Sequence, residues 1–281
     1  MLIDKMTIEK IQLASEYLPY INVEDADAEF YEAISENDED IYAIYYMNEV
    51  VGLSNIIDDV WGFLYIYIFP QYRRKGYGKA AVKLSEEHMN SSRLKGITTC
   101  YLANSEGACE FAKACGYSKE FSSAYMKYDK GPFEEKILPV RQYKDEDFTE
   151  AQALNAEAFH KMRLDTGYFP NSVQEAPSVE MRKFWEDTAD ERYVYIEGSE
   201  IIGYAHLDGA ELAEVSIKIS KQGKGIGTEF IKFLVNKLLE KEHNEPVLYC
   251  VVGNKARHLY ERIGFKEVTC NEYAKKCVQN E

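Results

Sequence analysis

The chain has 281 residues, of which 46 % are hydrophobic and 29 % charged, and its formal net charge is −15. This composition is typical of a globular protein with about two domains. The negative charge disfavours nucleic acid as a partner, because nucleic acid binding needs a basic face. A cationic small molecule would suit this charge, although acidity also serves solubility.

The sequence has no uninterrupted apolar run of about 18 residues, so it predicts no membrane span. Its first residues, "MLIDKMTIEK", do not resemble a secretory signal. The six cysteines form no CxxC pair and have no zinc-ligand spacing with histidine. They predict reduced thiols, mostly in the core, together with a cytoplasmic location and no metal site.

Several elements of the first half can be predicted in chain order. Residues 24–40 carry nine acids and no base, which indicates either a solvated helix face or a surface that attracts a polyamine or aminoglycoside. The segment "IYAIYYMNEVVG", residues 41–52, predicts a hairpin. The segment "FLYIYIFPQYRRKGYG" follows as a strand with a glycine-rich basic turn at residues 73–78, and "FAKACGY" predicts a short helix closed by glycine.

The second half repeats this pattern in the same order. The segments "RYVYIEGSEIIG", "AEVSIKISKQGKGIG" and "LYERIGF" match the three segments of the first half. Gly203 lies 151 residues after Gly52, Gly225 lies 149 after Gly76, and Gly264 lies 148 after Gly116. Nearly constant offsets in preserved order indicate a tandem duplication.

We therefore predict two domains, residues 1–133 and 137–281, which join within "YDKGPFEEKILP". Each copy predicts a strand, helices, a three-strand meander, a helix, a strand, a helix and two short strands, which is an α/β arrangement. In the second copy one face of a helix carries Phe230, Ile231, Leu234, Val235, Leu238 and Leu239. The run 246–252 predicts a buried strand, and a short helix capped by Asn254 and stopped by Gly264 follows it.

A helix that begins at a glycine turn presents unpaired N–H groups, for which phosphate is a natural ligand. Neither copy has the GxxxxGK[ST] pattern of the P-loop or the GxGxxG pattern of the dinucleotide turn. Both copies have [QR]-x-x-G-x-G after an apolar strand. This pattern, with "NKARHLYERIGF" downstream, resembles the acyl-CoA pyrophosphate loop of the GNAT superfamily of N-acetyltransferases.

The resemblance covers most of both halves. It implies α/β domains, each with a mixed, mostly antiparallel sheet flanked by helices, and acetyl-CoA as co-substrate. The loop amides would hold the pyrophosphate, and the preceding strand would pair with the pantetheine arm. The residues that it implies in the second copy are Val215, Ser216, Ile217, Gln222, Gly223, Lys224, Gly225, Ile226, Gly227, Thr228 and Asn254. Those of the first copy are Ile66, Tyr67, Ile68, Arg73, Arg74, Lys75, Gly76, Tyr77, Gly78 and Lys79.

Acetyl transfer needs a neutral amine and a proton for the departing thiolate. By the resemblance, Tyr260 supplies that proton, while the first copy has Ala112 at the matching position. We therefore predict that the C-terminal domain is catalytic and the N-terminal domain degenerate. Glu211 and Glu214 are candidate bases, and strand alternation predicts that they face opposite sides of the sheet. Water-mediated deprotonation, His160, His206 and His258 remain alternatives.

The predicted function is transfer of an acetyl group from acetyl-CoA to a primary amine of a small molecule or peptide. The alternative is a non-catalytic acyl-CoA-binding sensor or interaction protein. The predicted partners are the amine acceptor, without nucleic acid or membrane, and the predicted state is a monomer or homodimer.

Overall fold

The structure is a computed structural model, and it describes residues 2–89, 94–241 and 245–277. The first half contains six strands and three longer helices. In chain order they are β1 (Met6–Lys10), α1 (Ala28–Glu36), β2 (Ile41–Tyr46), β3 (Glu49–Ile57), β4 (Trp61–Ile68), α2 (Tyr77–His88), β5 (Gly96–Leu102), α3 (Ala108–Ala114) and β6 (Ser118–Lys127).

The second half has the same order with one more helix near its beginning. Its elements are β7 (Val140–Gln142), α4 (Phe148–Thr166), α5 (Val179–Asp187), β8 (Arg192–Glu197), β9 (Glu200–Asp208), β10 (Glu211–Ile217), α6 (Ile226–Glu240), β11 (Val247–Val251), α7 (Arg257–Ile263) and β12 (Lys266–Cys277). Each half ends in one long strand rather than the two short strands that the sequence predicted. That part of the prediction was wrong.

The chain divides into two compact units. Unit 1 comprises Met1–Ser122 and Cys270–Glu281, and unit 2 comprises Ser123–Thr269. The final strand of the chain thus contributes most of its residues to unit 1, and the second part of β6 belongs to unit 2. Both units are therefore built from segments of both halves of the sequence.

Unit 1 is a mixed sheet of order β1-β2-β3-β4-β5, followed by the 271–277 part of β12, which pairs antiparallel with β5. One face packs on α1 through a core that includes Phe30, Ile34, Leu53 and Tyr65. The other face packs on α2 and α3 through residues such as Leu64, Val82 and Ala112. Among the described residues of this unit, all strand pairs except β4 with β5 are antiparallel.

Unit 2 repeats this architecture in the order β11-β10-β9-β8-β7, with the 123–127 part of β6 beside β11. Helix α6 buries Phe230, Ile231, Leu234, Val235 and Leu238 against one face, as its periodicity predicted. Helices α4 and α5 cover the other face around Trp185 and Tyr204. The sheet is again mostly antiparallel, and in the part of unit 2 that the structure describes only β10 with β11 is parallel.

Two matching glycines show that the two copies share the same register. Gly52 lies opposite Ile68, and Gly203 lies opposite Ile217, so the same pair closes the meander in each unit. A Cβ on Gly52 would lie 2.3 Å from the carbonyl oxygen of Tyr67, which excludes a side chain there. The predicted duplication and α/β fold class are thereby confirmed.

Candidate active site

The parallel pair of strands in each unit separates before the glycine loop. In unit 1, β4 pairs with β5 at Trp61, Gly62 and Phe63, and the pairing ends there. Residues Ile66–Ile68 pair with β3 on one side only within the described residues. Their other edge borders the gap between the strands, so its N–H and C=O groups can pair with an extended ligand.

The first glycine loop leads directly into α2. Gly76 is the N-cap of the helix at φ +89°, and no side chain caps the first turn. Arg74 adopts φ +59°, which is uncommon for a residue with a side chain. Gly78 follows in the first turn, and a Cβ there would lie 3.1 Å from the ring of Phe111. The uncapped amides of this turn are suited to an anion.

The basic side chains of this loop have specific partners. Arg73 donates from Nε to the carbonyl oxygen of Ile68 at 2.8 Å, and its Nη1 lies 2.6 Å from Asp25. Lys75 donates to the carbonyl oxygen of Gln71 at 3.0 Å. The ring of Tyr77 packs 5.0 Å from that of Tyr46. The Arg73 side chain thus holds the loop in place.

A cavity of about 410 Å³ fills the gap between β4 and β5. The glycine loop borders it through Arg74, Gly76, Gly78 and Lys79, and the three predicted strand residues Ile66, Tyr67 and Ile68 also line it. The opposite wall comes from β5 and α3, including Ala112. Unit 1 therefore brings together almost all of the residues that the sequence assigned to cofactor binding in the first copy.

The second loop has the same geometry. Gly223 and Gly225 adopt φ +74° and +84°, and Gly225 is the N-cap of α6 without a side-chain cap. Gln222 donates from Nε2 to the carbonyl oxygen of Ile217 at 2.9 Å, which is the counterpart of the Arg73 bond in unit 1. Lys224 is exposed, and Ile226, Gly227 and Thr228 form the first turn of α6.

The strand before this loop also separates from its parallel neighbour. Strand β10 pairs with β11 at Glu211 and Val247, whereas Val215, Ser216 and Ile217 pair with β9 alone in the described chain. Val215 and Ile217 face the core beneath α6, and Ser216 faces α4, where it donates to Asn155 at 2.5 Å.

Tyr260 lies on α7 and packs against this same core. Its ring centroid is 6.1 Å from that of Phe265, and Leu259, Val215 and Ile217 adjoin the same cluster. Burial raises the pKa of the Tyr260 phenol above its usual value, with a smaller contribution from Cys250. The phenol consequently keeps its proton at neutral and moderately alkaline pH.

Glu214 belongs to a polar network on the α4 face of unit 2. Asn155 donates to its Oε1 and the Tyr204 hydroxyl to its Oε2, each at 3.3 Å, and Arg192 Nη1 lies 3.9 Å from the carboxylate. Burial raises the pKa of Glu214, and these partners oppose that effect. Because a carboxylate with a raised pKa is a stronger base, Glu214 is suited to accept a proton.

The relative orientation of Glu211 and Glu214 differs from the prediction. A β-bulge lies between Leu212 and Glu214, so Leu212 faces the α6 core while Glu214 faces α4. Glu211 precedes Leu212 and therefore lies on the same face as Glu214. The predicted alternation was wrong because one extra residue shifts the face of everything that follows it.

Asn254 lies in the turn before α7. Its Oδ1 accepts from the amide of Ala256 at 3.0 Å, and Ala256 rather than Asn254 is the N-cap of the helix. The side chain thus orders the turn that sets the start of α7, which carries Tyr260.

Known proteins share both the sequence pattern and the fold. The profile of the Acetyltransferase (GNAT) family matches residues 8–117, and the profile of an Acetyltransferase (GNAT) domain matches residues 145–279. The chain belongs to the GNAT family of acetyltransferases. It contains two such domains in tandem.

The individual proteins that match this chain either cover only part of it or have low sequence identity to it. A [ribosomal protein bS18]-alanine N-acetyltransferase of Haemophilus influenzae is 40 % identical over 85 residues, which are 28 % of this chain and 58 % of the relative. A GCN5-related N-acetyltransferase from Sphaerobacter thermophilus matches with a TM-score of 0.67 at 16 % identity, over 100 % of this chain and 98 % of that one. A tandem GNAT protein from the clavulanic acid biosynthesis pathway matches with 0.59 at 11 % identity, over 98 % and 99 %.

The histidines proposed as alternative bases are placed differently from Glu214. His206 is buried, and burial together with Arg192 lowers its pKa to about 4. His160 lies 3.2 Å from the hydroxyl of Ser172, and the side chain of His258 is largely exposed. Within the described residues, no cluster of His, Cys, Asp or Glu could hold a metal ion.

Residues of the acidic segment 24–40 contribute to unit 1 in a way that its composition did not reveal. Asp25 accepts from the Tyr67 hydroxyl at 2.6 Å as well as from Arg73. Asp27 is buried, caps α1 by accepting from Phe30 and accepts from Asn271 at 2.5 Å. These two acids are therefore structural, and sequence reasoning missed them because their partners lie far along the chain.

The network around Glu214 was also missed. Arg192 is fully buried, bonds to Tyr204 and stacks on Trp185 with 4.8 Å from the guanidinium carbon to the ring centroid. No motif marks Arg192, Tyr204 or Asn155 in the sequence.

All six cysteines are free thiols, but only Cys100 and Cys250 are buried. In the described part of the chain, no helix is both long and apolar enough to span a membrane.

Proposed function

We propose that this GNAT protein transfers an acetyl group from acetyl-CoA to a primary amine of a small molecule or peptide. One observation carries the proposal. In each unit a strand leaves its parallel neighbour, and the loop after it leads to a left-handed glycine, from which an uncapped helix begins. This arrangement supports an extended pantetheine arm along the strand and a pyrophosphate at the helix.

The cofactor residues that we propose lie in the two loops and in the strand ends before them. Backbone amides of Gly223–Thr228 and Arg74–Lys79 would hold phosphate oxygens, and Gln222 and Arg73 would keep each loop in place. When bound, acetyl-CoA supplies an acetyl thioester that an amine can attack. Asn254 supports the site from the turn before α7.

We propose that unit 2 carries out the transfer. Glu214 accepts the excess proton of the amine as the new C–N bond forms, and Tyr260 donates its hydroxyl proton to the thiolate released when the C–S bond breaks. The raised pKa of each group favours its role, because Glu214 is a stronger base and Tyr260 remains protonated. Glu211 lies on the same face and would act as an auxiliary carboxylate.

The acceptor class can be narrowed by experiment. The relative from Haemophilus influenzae acts on the alanine of a ribosomal protein, so a peptide with an N-terminal alanine belongs in the test beside spermidine and an aminoglycoside. Thiol release from acetyl-CoA would be measured with each amine for the wild type and for Tyr260→Phe.

We expect at least one amine to be acetylated, with kcat lowered by roughly 10²-fold in Tyr260→Phe, as expected for loss of a general acid. Tyr195→Phe is the control, because Tyr195 is another tyrosine at the same core. If wild type and Tyr260→Phe were equally inert while acetyl-CoA still bound, the protein would instead be a CoA-binding sensor.

The two loops can be tested as a matched pair. Gly225→Glu and Gly76→Glu each place a side chain and a negative charge at a left-handed N-cap, where they oppose an anion. We expect Gly225→Glu to abolish turnover and Gly76→Glu to leave it measurable. The reverse result would assign catalysis to unit 1.

A further inference from the structure

The last helix of each unit carries a different residue at the matching position. In unit 2, the position on the last helix is Tyr260, whose ring packs against the core. In unit 1, α3 carries Ala112 there, and its methyl group lines the cavity. The replacement removes a phenol ring from the place at which the reacting end of a thioester would lie.

The space beside Ala112 is apolar. Leu64, Val82, Phe111 and Ile66 line the cavity and belong to the same hydrophobic cluster as Ala112. Tyr117 also lines it, but its hydroxyl donates to Glu86 at 2.9 Å and is thereby satisfied. Glu86 in turn accepts from Lys276 at 2.8 Å. Tyr117, Glu86 and Lys276 thus form hydrogen bonds with one another.

An acyl group would occupy one end of the cleft, beside Ala112. The cleft of about 410 Å³ as a whole would also hold the pantetheine arm along Ile66–Ile68 and the phosphate oxygens at the glycine loop. Space lined by apolar side chains binds apolar groups because their removal from water is favourable.

We propose that the cleft of unit 1 binds a CoA thioester whose acyl chain is longer than acetyl, on the order of four to six carbons. The chain lies in the space that Ala112 leaves, against Leu64, Ile66, Val82 and Phe111. This proposal rests on the proposed CoA-binding role of the first glycine loop. Unit 1 is then a binding site for a different acyl-CoA from that used by unit 2.

The test uses the full-length chain with Gly225→Glu, which leaves the loop of unit 1 unchanged. Calorimetric titration with acetyl-, butyryl- and hexanoyl-CoA would give the affinity for each chain length. We expect hexanoyl-CoA to bind at least tenfold more tightly than acetyl-CoA, because each buried methylene strengthens binding by about fourfold.

Ala112→Tyr in the same background recreates the wall of unit 2. We expect it to remove the preference for hexanoyl-CoA while acetyl-CoA binding changes by less than about threefold. Ala112→Val fills less of the space and should give an intermediate preference for hexanoyl-CoA. This smaller substitution tests the proposal even if the tyrosine variant does not fold. Ala114→Tyr is the matched control, because Ala114 is exposed on the same helix.

Two failures can be told apart. If none of the three thioesters binds in the Gly225→Glu background, the proposed CoA site of unit 1 is wrong. If acetyl-CoA binds as tightly as hexanoyl-CoA, or if Ala112→Tyr keeps the preference, the CoA site stands and the inference about chain length is overturned.

Discussion

Arg73 donates from Nε to the carbonyl oxygen of Ile68 at 2.8 Å, across the junction between strand β4 and the first glycine loop. Gln222 makes the same bond to Ile217 at 2.9 Å in unit 2. The first residue of the [QR]-x-x-G-x-G pattern, whether Arg or Gln, thus donates the same hydrogen bond to the end of the preceding strand. It closes the turn that brings the backbone amides of the next residues into position.

This relationship predicts that Arg73→Gln is milder than Arg73→Ala. Glutamine can keep the bond to Ile68 and loses only the partly exposed ion pair with Asp25, which is worth at most about 1 kcal/mol. The alanine variant loses both contacts. Loss of the hydrogen bond to Ile68 should lower its free energy of unfolding by about 1 kcal/mol more. Thermal unfolding and CoA titration of both variants would show the difference. Equal damage would mean that the ion pair, not the loop bond, holds this turn.

Glu214 predicts a pH dependence of activity with a defined direction. The carboxylate must be ionised to accept a proton, and burial raises its pKa above the ordinary value of 4.5. The rate should therefore rise with pH through a limb above pH 4.5. Glu214→Gln should lower kcat by roughly 10²-fold or more and remove this limb. Glu211→Gln should keep the limb and most of the activity.

The same shift predicts the effect of Glu214 on stability. The folded protein holds the Glu214 proton more tightly than the unfolded chain, so stability from this group is lost as pH rises through its folded pKa. Relative to wild type, Glu214→Gln should then be more stable at pH 7 than at pH 4. Urea unfolding at both values would measure this. A variant that loses both activity and stability at pH 7 would contradict a catalytic role.

His206 predicts the opposite pH dependence of stability. Its pKa falls from 6.5 to about 4 on folding, chiefly because of burial. As pH drops below 6.5, the unfolded chain binds the proton first, so the stabilisation present at neutral pH is lost as pH approaches about 4. Over this pH range the contribution of His206 to the free energy of unfolding falls by on the order of 3 kcal/mol.

His206→Gln does not titrate, so its stability should fall less than that of wild type between pH 7 and 4. Denaturant unfolding at both pH values, with the exposed His258→Gln as control, measures the difference. Equal pH dependence in all three proteins would show that His206 is not held neutral by the fold.

Asn271 predicts that the end of the chain stabilises unit 1. Its Nδ2 donates to the buried carboxylate of Asp27 at 2.5 Å, and both side chains are 3 % exposed. Asn271→Ala leaves Asp27 with one donor fewer, which should lower the free energy of unfolding by about 1–3 kcal/mol. Cys277→Ser, at an exposed position of the same strand, should change it little. Equal stabilities of these two variants would contradict the prediction.

Local patterns in the sequence were sufficient to predict the general fold. The spacing of Phe230, Ile231 and Leu234 predicted the buried face of α6, because amphipathic periodicity depends on neighbours a few residues apart. The glycines of the two loops predicted their positions at helix N-termini, because only residues without a side chain readily adopt positive φ. The constant offset between the copies predicted the duplication, and the [QR]-x-x-G-x-G pattern indicated the GNAT resemblance.

Only the tertiary structure decided how distant residues combine. It assigned the end of the chain to unit 1, paired Asn271 with Asp27, surrounded Glu214 with Asn155, Tyr204 and Arg192, and opened a cavity beside Ala112. The bulge in β10 put Glu211 and Glu214 on the same face instead of opposite faces. Such pairings depend on contacts between residues tens to hundreds of positions apart, and no local periodicity encodes which distant side chain completes a buried hydrogen bond or how far two parallel strands separate.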